Sequence, residues 1–347
     1  MKKIIIKIGT NVITKENGLL NLEVMENLVK QVAELKRTGV KAVMVSSGAM
    51  GAGRSLIKVE GKNDVVRRQV LCSVGQIKLL ETYLKLFQKE SLICSQVLVT
   101  KEDFRDRSHY LNMKNCIEGL LENNVVPIIN ENDVISVSEL MFTDNDELAG
   151  LMASLISADA LIILSSVDGI LDTDGNVLAE VDEKTVLSKF IQKSKSSFGR
   201  GGMLTKVKIT QKIAAMGIET FIANGCTQNV VLRILNGEKI GTHFAGLSKK
   251  SGVKRWISAS EGHEKGSVKI DSGAEKVLKN KIASLLPIGA KEISGEFKKG
   301  DLIKILNPEG EIIGHGISNY NSKIAKNHLG KKGKKALIHY DYLYLNQ

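Results

Sequence analysis

The chain has 347 residues, 43% of them apolar and 25% charged, which is the balance of a globular protein and excludes a disordered or fibrous one. No run approaches eighteen apolar residues, so no membrane-spanning helix is expected. The formal charge of +11 is uneven: from Lys265 onward 15 lysines face 8 acidic residues, an excess of seven, which fits a solvated tail first and an anionic partner such as nucleic acid second.

Met1–Gly9 has too short an apolar core for a signal peptide, and Ile4–Ile8 reads as a buried strand ending at Gly9-Thr10-Asn11. Lys7 alternates with Ile6 and Ile8, so it is either a snorkelling lysine on an edge strand or a ligand for an anion. A helix is predicted over Asn21–Arg37, with Leu22, Met25, Leu28, Val29, Val32 and Leu35 on one face and Gly39 as its stop. A second buried strand, Val40–Val45, runs into Ser46-Ser47-Gly48-Ala49-Met50-Gly51-Ala52-Gly53. Small residues between a strand and a helix mark a place where backbone meets ligand. Their spacing matches neither the dinucleotide fingerprint nor the P-loop pattern.

Asp64–Lys89 reads as a long helix with Gly75 inside it, Leu92–Val99 as a strand, and Lys101–Leu121 as helix. Val125–Ile129 is the fourth strand and ends in Asn130-Glu131-Asn132-Asp133, which is either a self-capping Asx turn or a grip for a polar ligand. Thr143 or Asp144 can cap the helix Glu147–Ser157, yet three consecutive residues Asp144-Asn145-Asp146 exceed what a cap needs. Ala160–Leu164 is the fifth strand, followed by Ser165-Ser166-Val167-Asp168-Gly169. Gly199-Arg200-Gly201-Gly202 then opens a helix over Met203–Met216, a ready anion site if it is not an ordinary surface turn. Glu219–Ala223 is the sixth strand.

Strand and helix alternate throughout, which predicts a three-layer α/β/α sandwich around a mainly parallel open sheet, with ligands outside the carboxyl ends of the strands. The pattern changes near residue 250. Residues 251–264 read as a linker between a catalytic domain, 1–250, and a small mostly β domain, 265–347. In that tail Ser267–Ile270, Leu285-Leu286-Pro287, Asp301–Leu306, Glu311–Gly316 and Ala336–Tyr340 are short pieces punctuated by glycines. Four cysteines (Cys72, Cys94, Cys116, Cys226) lack paired spacing and read as free, mostly buried thiols in a reducing cytoplasm.

Five segments occur in a telling order: Lys7-Ile8-Gly9-Thr10, Ser46-Ser47-Gly48-Ala49, Ile129-Asn130-Glu131-Asn132-Asp133, Asp144-Asn145-Asp146 and Gly201-Gly202-Met203-x-Thr205-Lys206. Together with the tail they resemble the amino acid kinase family, specifically its members that phosphorylate L-glutamate and carry a C-terminal PUA domain. The resemblance covers essentially the whole chain. It implies transfer of the γ-phosphoryl group of ATP to the side-chain carboxylate of L-glutamate, giving the acyl phosphate that begins proline synthesis.

Carried over, Lys7 and Lys206 would flank the moving phosphoryl group and Asp146 would hold them. Ser47, Gly48, Asp133 and Asn145 would bind glutamate, with Asp133 suited to its α-ammonium. Lys7, Gly9, Ser165, Ser166 and the run Arg200, Gly201, Gly202, Met203, Leu204, Thr205 and Lys206 would bind the nucleotide. Mg2+ would ride on the ATP phosphates, with no protein ligand assigned. The resemblance further implies a homo-oligomer (dimer or tetramer), inhibition by proline at the glutamate site, and glutamyl phosphate reductase as pathway partner. Ser166 stands where the family usually has an acidic residue, Arg200 where it has a small one, and Gly330–Lys335 is a short basic bridge in place of a usual longer stretch. The other readings are a related kinase acting on acetylglutamate or aspartate, and RNA binding through the basic tail.

Overall fold

In the computed structural model Ile4, Ile6 and Ile8 point to one face of the first strand and Ile5 and Lys7 to the other, and all five are buried. The structure describes residues 1–15, 17–60, 63–136, 144–172, 174–181, 203–246, 264–280 and 283–345. Burial on both faces follows from the strand's position. β1 (Lys3–Ile8) is central in an eight-stranded sheet with β2 (Lys41–Ser46), β3 (Ile93–Val99), β4 (Val125–Glu131), β5 (Ala160–Ser165), β6 (Glu180–Val181), β7 (Glu219–Asn224) and β8 (Thr242–Phe244). The order is β3-β4-β2-β1-β5-β7-β8-β6. Pairing is parallel from β3 through β7, β8 runs antiparallel to β7, and β6 is parallel to β8. The six strands expected from apolar runs are all present, which is the pattern of a parallel sheet buried under helices.

Helices cover both faces, as expected. On one, α2 (Leu22–Arg37), α4 (Asp64–Lys89) and α9 (Val230–Leu235) close a core with Ile4, Ile6, Ile8, Met44, Ile128 and Ile162. On the other, α7 (Asn145–Leu155) lies across β1, β2, β4 and β5 and packs on α8 (Met203–Ala214). Also present are α1 (Thr10–Ile13), α3 (Ala49–Arg54), α5 (Lys101–Arg105) and α6 (Arg107–Glu122).

The small residues after β2 have two separate uses. Gly48, at φ +102°, opens α3 in a conformation that side chains avoid. Gly53 instead lets α3 touch α4 backbone to backbone: a Cβ there would fall 1.9 Å from the Leu71 carbonyl oxygen, and one on Gly75 would fall 1.8 Å from that of Ala49. The reading of the whole stretch as ligand-facing therefore fails at Gly53, which serves helix packing.

The chain divides into two compact units, Met1–Asp103 with Tyr110–Lys249, and Phe104–His109 with Lys250–Gln347. In the second, β9 (Gly266–Ile270), β10 (Ala290–Gly295), β11 (Leu302–Leu306), β12 (Ile312–Ser318) and β13 (Ile338–Leu345) form a sheet in the order β10-β9-β11-β12-β13. Its core is Val268, Ile270, Ile303, Ile305, Leu337 and Ile338. The strand expected at Leu285 is a single bridge to Ile338, while β10 and two helices, α10 (Ser272–Asn280) and α11 (Ser322–His328), are additions to the expected set. The cysteines are free, with Cys72 and Cys94 buried but Cys116 and Cys226 exposed, so burial applies to half of them.

Candidate active site

Lys7 leaves β1 on the face that α7 covers, and the first turn of α7 meets it with Asp146. That turn is fixed by Asp144, whose Oδ1 accepts the amides of Asp146 (2.8 Å) and Glu147 (3.1 Å) as an N-cap. Asp146 is fully buried. Its Oδ1 lies 2.5 Å from Lys7 Nζ in an ion pair. Its Oδ2 accepts a hydrogen bond from Lys206 Nζ at 2.5 Å, from the first turn of α8. One carboxylate thus holds two ammonium groups side by side, far apart in sequence and converged on one strand end.

The electrostatics follow. Burial alone would raise the Asp146 carboxyl, but Lys7 and Lys206 together outweigh it and hold it below the usual carboxylate range. For Lys7, burial pulls the ammonium below its ordinary value more strongly than Asp146 holds it up, and the like charge of Lys206 adds to the fall. Asp144 is pushed up by burial and then by Asp146, and its Oδ2 is buried without a hydrogen-bond partner among the described residues. The two lysines on Asp146, with Asp144 close by, form a largely buried charge cluster, the setting in which fixed charge acts most strongly on a developing anion.

Asn145, next along α7, points toward the ends of β2 and β4. Its Nδ2 reaches Ser47 Oγ (2.9 Å), Asn130 Oδ1 (3.0 Å) and the Ser46 carbonyl (3.2 Å). Asn130 in turn donates to Gln76 Oε1 on α4 at 2.8 Å. Ser47 is placed by its own amide, which donates to the Ile8 carbonyl (3.1 Å). Ser47, Gly48, Asn145, Asp146, Lys7 and Lys206 are therefore joined in one constellation. Gly9 donates its amide to the Leu164 carbonyl (3.0 Å), placing it beside the end of β5, where Ser165 is half-buried and Ser166 exposed. Met203 and Thr205 are half-buried at the start of α8. Arg200, Gly201, Gly202 and the side chain of Leu204 lie outside the described residues.

Asp133 is held by a residue that sequence reading passed over. Arg68 Nη2 on α4 pairs with Asp133 and, at 3.1 Å, with Glu131. One turn on, Cys72 packs against the same carboxylate, and burial first, then Asp133, push its thiol up to about 12. Arg68, Cys72 and Gln76 fall at i, i+4 and i+8, so one stripe of α4 faces the carboxyl end of β4. That polar stripe on an otherwise amphipathic helix is the signal that could have found them. Two clefts adjoin it, one of about 420 Å³ lined by Cys72, Gln76, Glu131 and Asp133, and one of about 270 Å³ lined by Met50, Arg54, Arg67 and Arg68.

A fold with a mainly parallel sheet and paired lysines at its strand ends narrows the class, and comparison with known proteins fixes it. Residues 2–224 match the model of the amino acid kinase family and residues 266–339 that of the PUA domain. The chain belongs to the amino acid kinase family. Its relatives there are glutamate 5-kinases: that of Chlorobaculum tepidum is 47% identical over 351 residues, covering 99% of this chain and 97% of the relative. That of Bacteroides thetaiotaomicron is 47% identical over 353 residues (99% and 98% covered), and that of Thermoanaerobacter sp. strain X514 is 40% identical over 363 (99% and 97%).

Proposed function

We propose that this protein transfers the γ-phosphoryl group of ATP to the side-chain carboxylate of L-glutamate, as the names of its relatives indicate. The observation that carries the reading is Asp146 binding Lys7 through one oxygen and Lys206 through the other, each at 2.5 Å. The glutamate carboxylate, ionised at neutral pH, needs no general base. Its oxygen attacks the γ-phosphorus while the bond to the β-phosphate oxygen breaks, releasing ADP and leaving an acyl phosphate. Lys7 and Lys206 offset charge on the transferring group and the leaving phosphate, which is the principal protein contribution in such reactions.

A polyanion fits these residues because two largely buried ammonium groups stand side by side there. ATP would be held by Lys7, Lys206 and the α8 start at Met203 and Thr205, with Gly9, Ser165 and Ser166 on the β1 and β5 side. Mg2+, carried on the phosphates, would supply further charge neutralisation. Glutamate would lie against Ser47, Gly48, Asn145 and Asp133. Asp133, with Glu131 close by on the same Arg68, suits an α-ammonium, which acetylglutamate lacks. Homo-oligomerisation, inhibition by proline at the same site, a pathway reductase that consumes the acyl phosphate and a cytoplasmic location belong to the same proposal. No helix among the described residues is long and apolar enough to cross a membrane.

The test is formation of γ-glutamyl hydroxamate from glutamate, ATP, Mg2+ and hydroxylamine, run with and without proline. Robust product with glutamate and little with acetylglutamate or aspartate is expected. Equal or greater turnover of either alternative would overturn the substrate assignment.

A further inference from the structure

Asp133, the carboxylate that the proposed function gives to the α-ammonium of glutamate, is already engaged by Arg68, whose Nη2 also stands 3.1 Å from Glu131. All three side chains are largely buried, at 15% exposure for Arg68, 12% for Asp133 and 6% for Glu131. The stripe that carries Arg68 is also tied to the reaction centre, because Gln76 binds Asn130 and Asn130 binds Asn145, the neighbour of Asp146. The guanidinium, paired with Glu131 and Asp133, thus stands at the end of β4, the strand end that Asn145 reaches through Asn130.

We infer that Arg68 is a specificity-determining residue that grips the α-carboxylate of the substrate. On binding, it exchanges the Asp133 carboxylate for that of the amino acid and keeps Glu131, and Asp133 turns to the α-ammonium. A zwitterionic head brings one cation and one anion, so every carboxylate in the enlarged cluster keeps a cation beside it. Guanidinium suits the exchange because its planar fork of five donors can hold two carboxylates at once, which a lysine ammonium does less well. The inference rests on the reading of glutamate as substrate.

The discriminating ligand is 4-aminobutyrate, which keeps the ammonium and the reacting carboxylate of glutamate and lacks the α-carboxylate. Binding of both compounds to the wild-type protein, R68Q and R68K is measured by calorimetry, together with kcat and KM for glutamate. Loss of one charge-assisted contact should weaken glutamate about 10- to 100-fold in R68Q. In the same variant 4-aminobutyrate should be little changed, kcat at saturating glutamate should be nearly kept, and R68K should fall between. Equal weakening of both compounds in R68Q would overturn the inference, since a residue that only held Asp133 in place would act on the ammonium. Should R68Q fail to fold, the same comparison is made with R68K, where equal losses overturn it as well. A wild-type protein that binds neither compound would overturn the substrate reading, and this inference with it.

Discussion

Two clusters of three charges stand at the carboxyl ends of β1 and β4, and they are opposite in sign. In one, Lys7 and Lys206 share Asp146; in the other, Glu131 and Asp133 share Arg68. In both, the minority charge sits at the centre and keeps two like charges from separating. On the proposed reading the lysine pair meets a phosphate and the carboxylate pair meets an ammonium. The clusters differ in dryness, because Asp146 is wholly buried whereas Arg68 and Asp133 keep some contact with solvent. Central and outer groups should consequently fail in different ways, and the lysine cluster should fail harder.

The largest effect is expected at the dry centre. Replacing Asp146 by Asn, nearly the same in shape, leaves two buried ammonium groups uncompensated and should cost about 3–5 kcal/mol of stability in a denaturant titration. The sign with pH is fixed by the depressed carboxyl. Its contribution is complete above the unfolded value of 3.8 and is lost as pH falls through the lower folded value, so wild type and D146N should converge in acid. Removing an outer charge should act on rate instead. K206A should lower kcat about 100- to 1,000-fold, the usual consequence of deleting one preorganised donor, with stability little reduced. Near-normal turnover by K206A would end the assignment of Lys206 to the phosphoryl group.

A third substitution separates the clusters without touching either. A Cβ on Gly75 would sit 1.8 Å from the Ala49 oxygen and 2.4 Å from the Gly53 nitrogen, backbone atoms that cannot step aside. G75A should therefore push α4 from α3 and cost about 1–3 kcal/mol or somewhat more. Because α4 carries Arg68 and Gln76, the KM for glutamate should rise more than kcat falls. An equal loss in both would mean that the two clusters are mechanically one.

The parallel sheet was legible because its strands are nearly unbroken apolar runs, and the positive cluster because a lysine in such a run, and three polar residues where one cap suffices, are locally out of place. The negative cluster was only half legible. Asp133 lies in a conspicuous polar turn, but Arg68 sits in a helix where charged residues normally face water, and its partners lie 63 and 65 residues away. Gly53 misled for a related reason. A glycine needed for close approach of two helices looks, in sequence, like one needed for close approach of a ligand. In the tail, β10, α10 and α11 are too short for periodicity to declare itself among many glycines and lysines.

The smallest effect concerns Lys7 and appears only with pH. Its ammonium is held below the ordinary lysine value of 10.5, chiefly by burial and then by Lys206, with Asp146 opposing. Keeping it charged costs the folded protein stability at neutral pH, a cost that fades as pH rises through the folded value toward 10.5. A bound phosphate would reverse much of this, because an anion beside the ammonium favours its charged form. The alkaline limb of kcat/KM for ATP, which reports the free protein, should therefore fall below pH 10.5, and the limb of kcat, which reports the complex, should lie at higher pH than that of kcat/KM. Coincident limbs would mean that the nucleotide phosphates do not reach Lys7, and the lysine pair would then need another ligand.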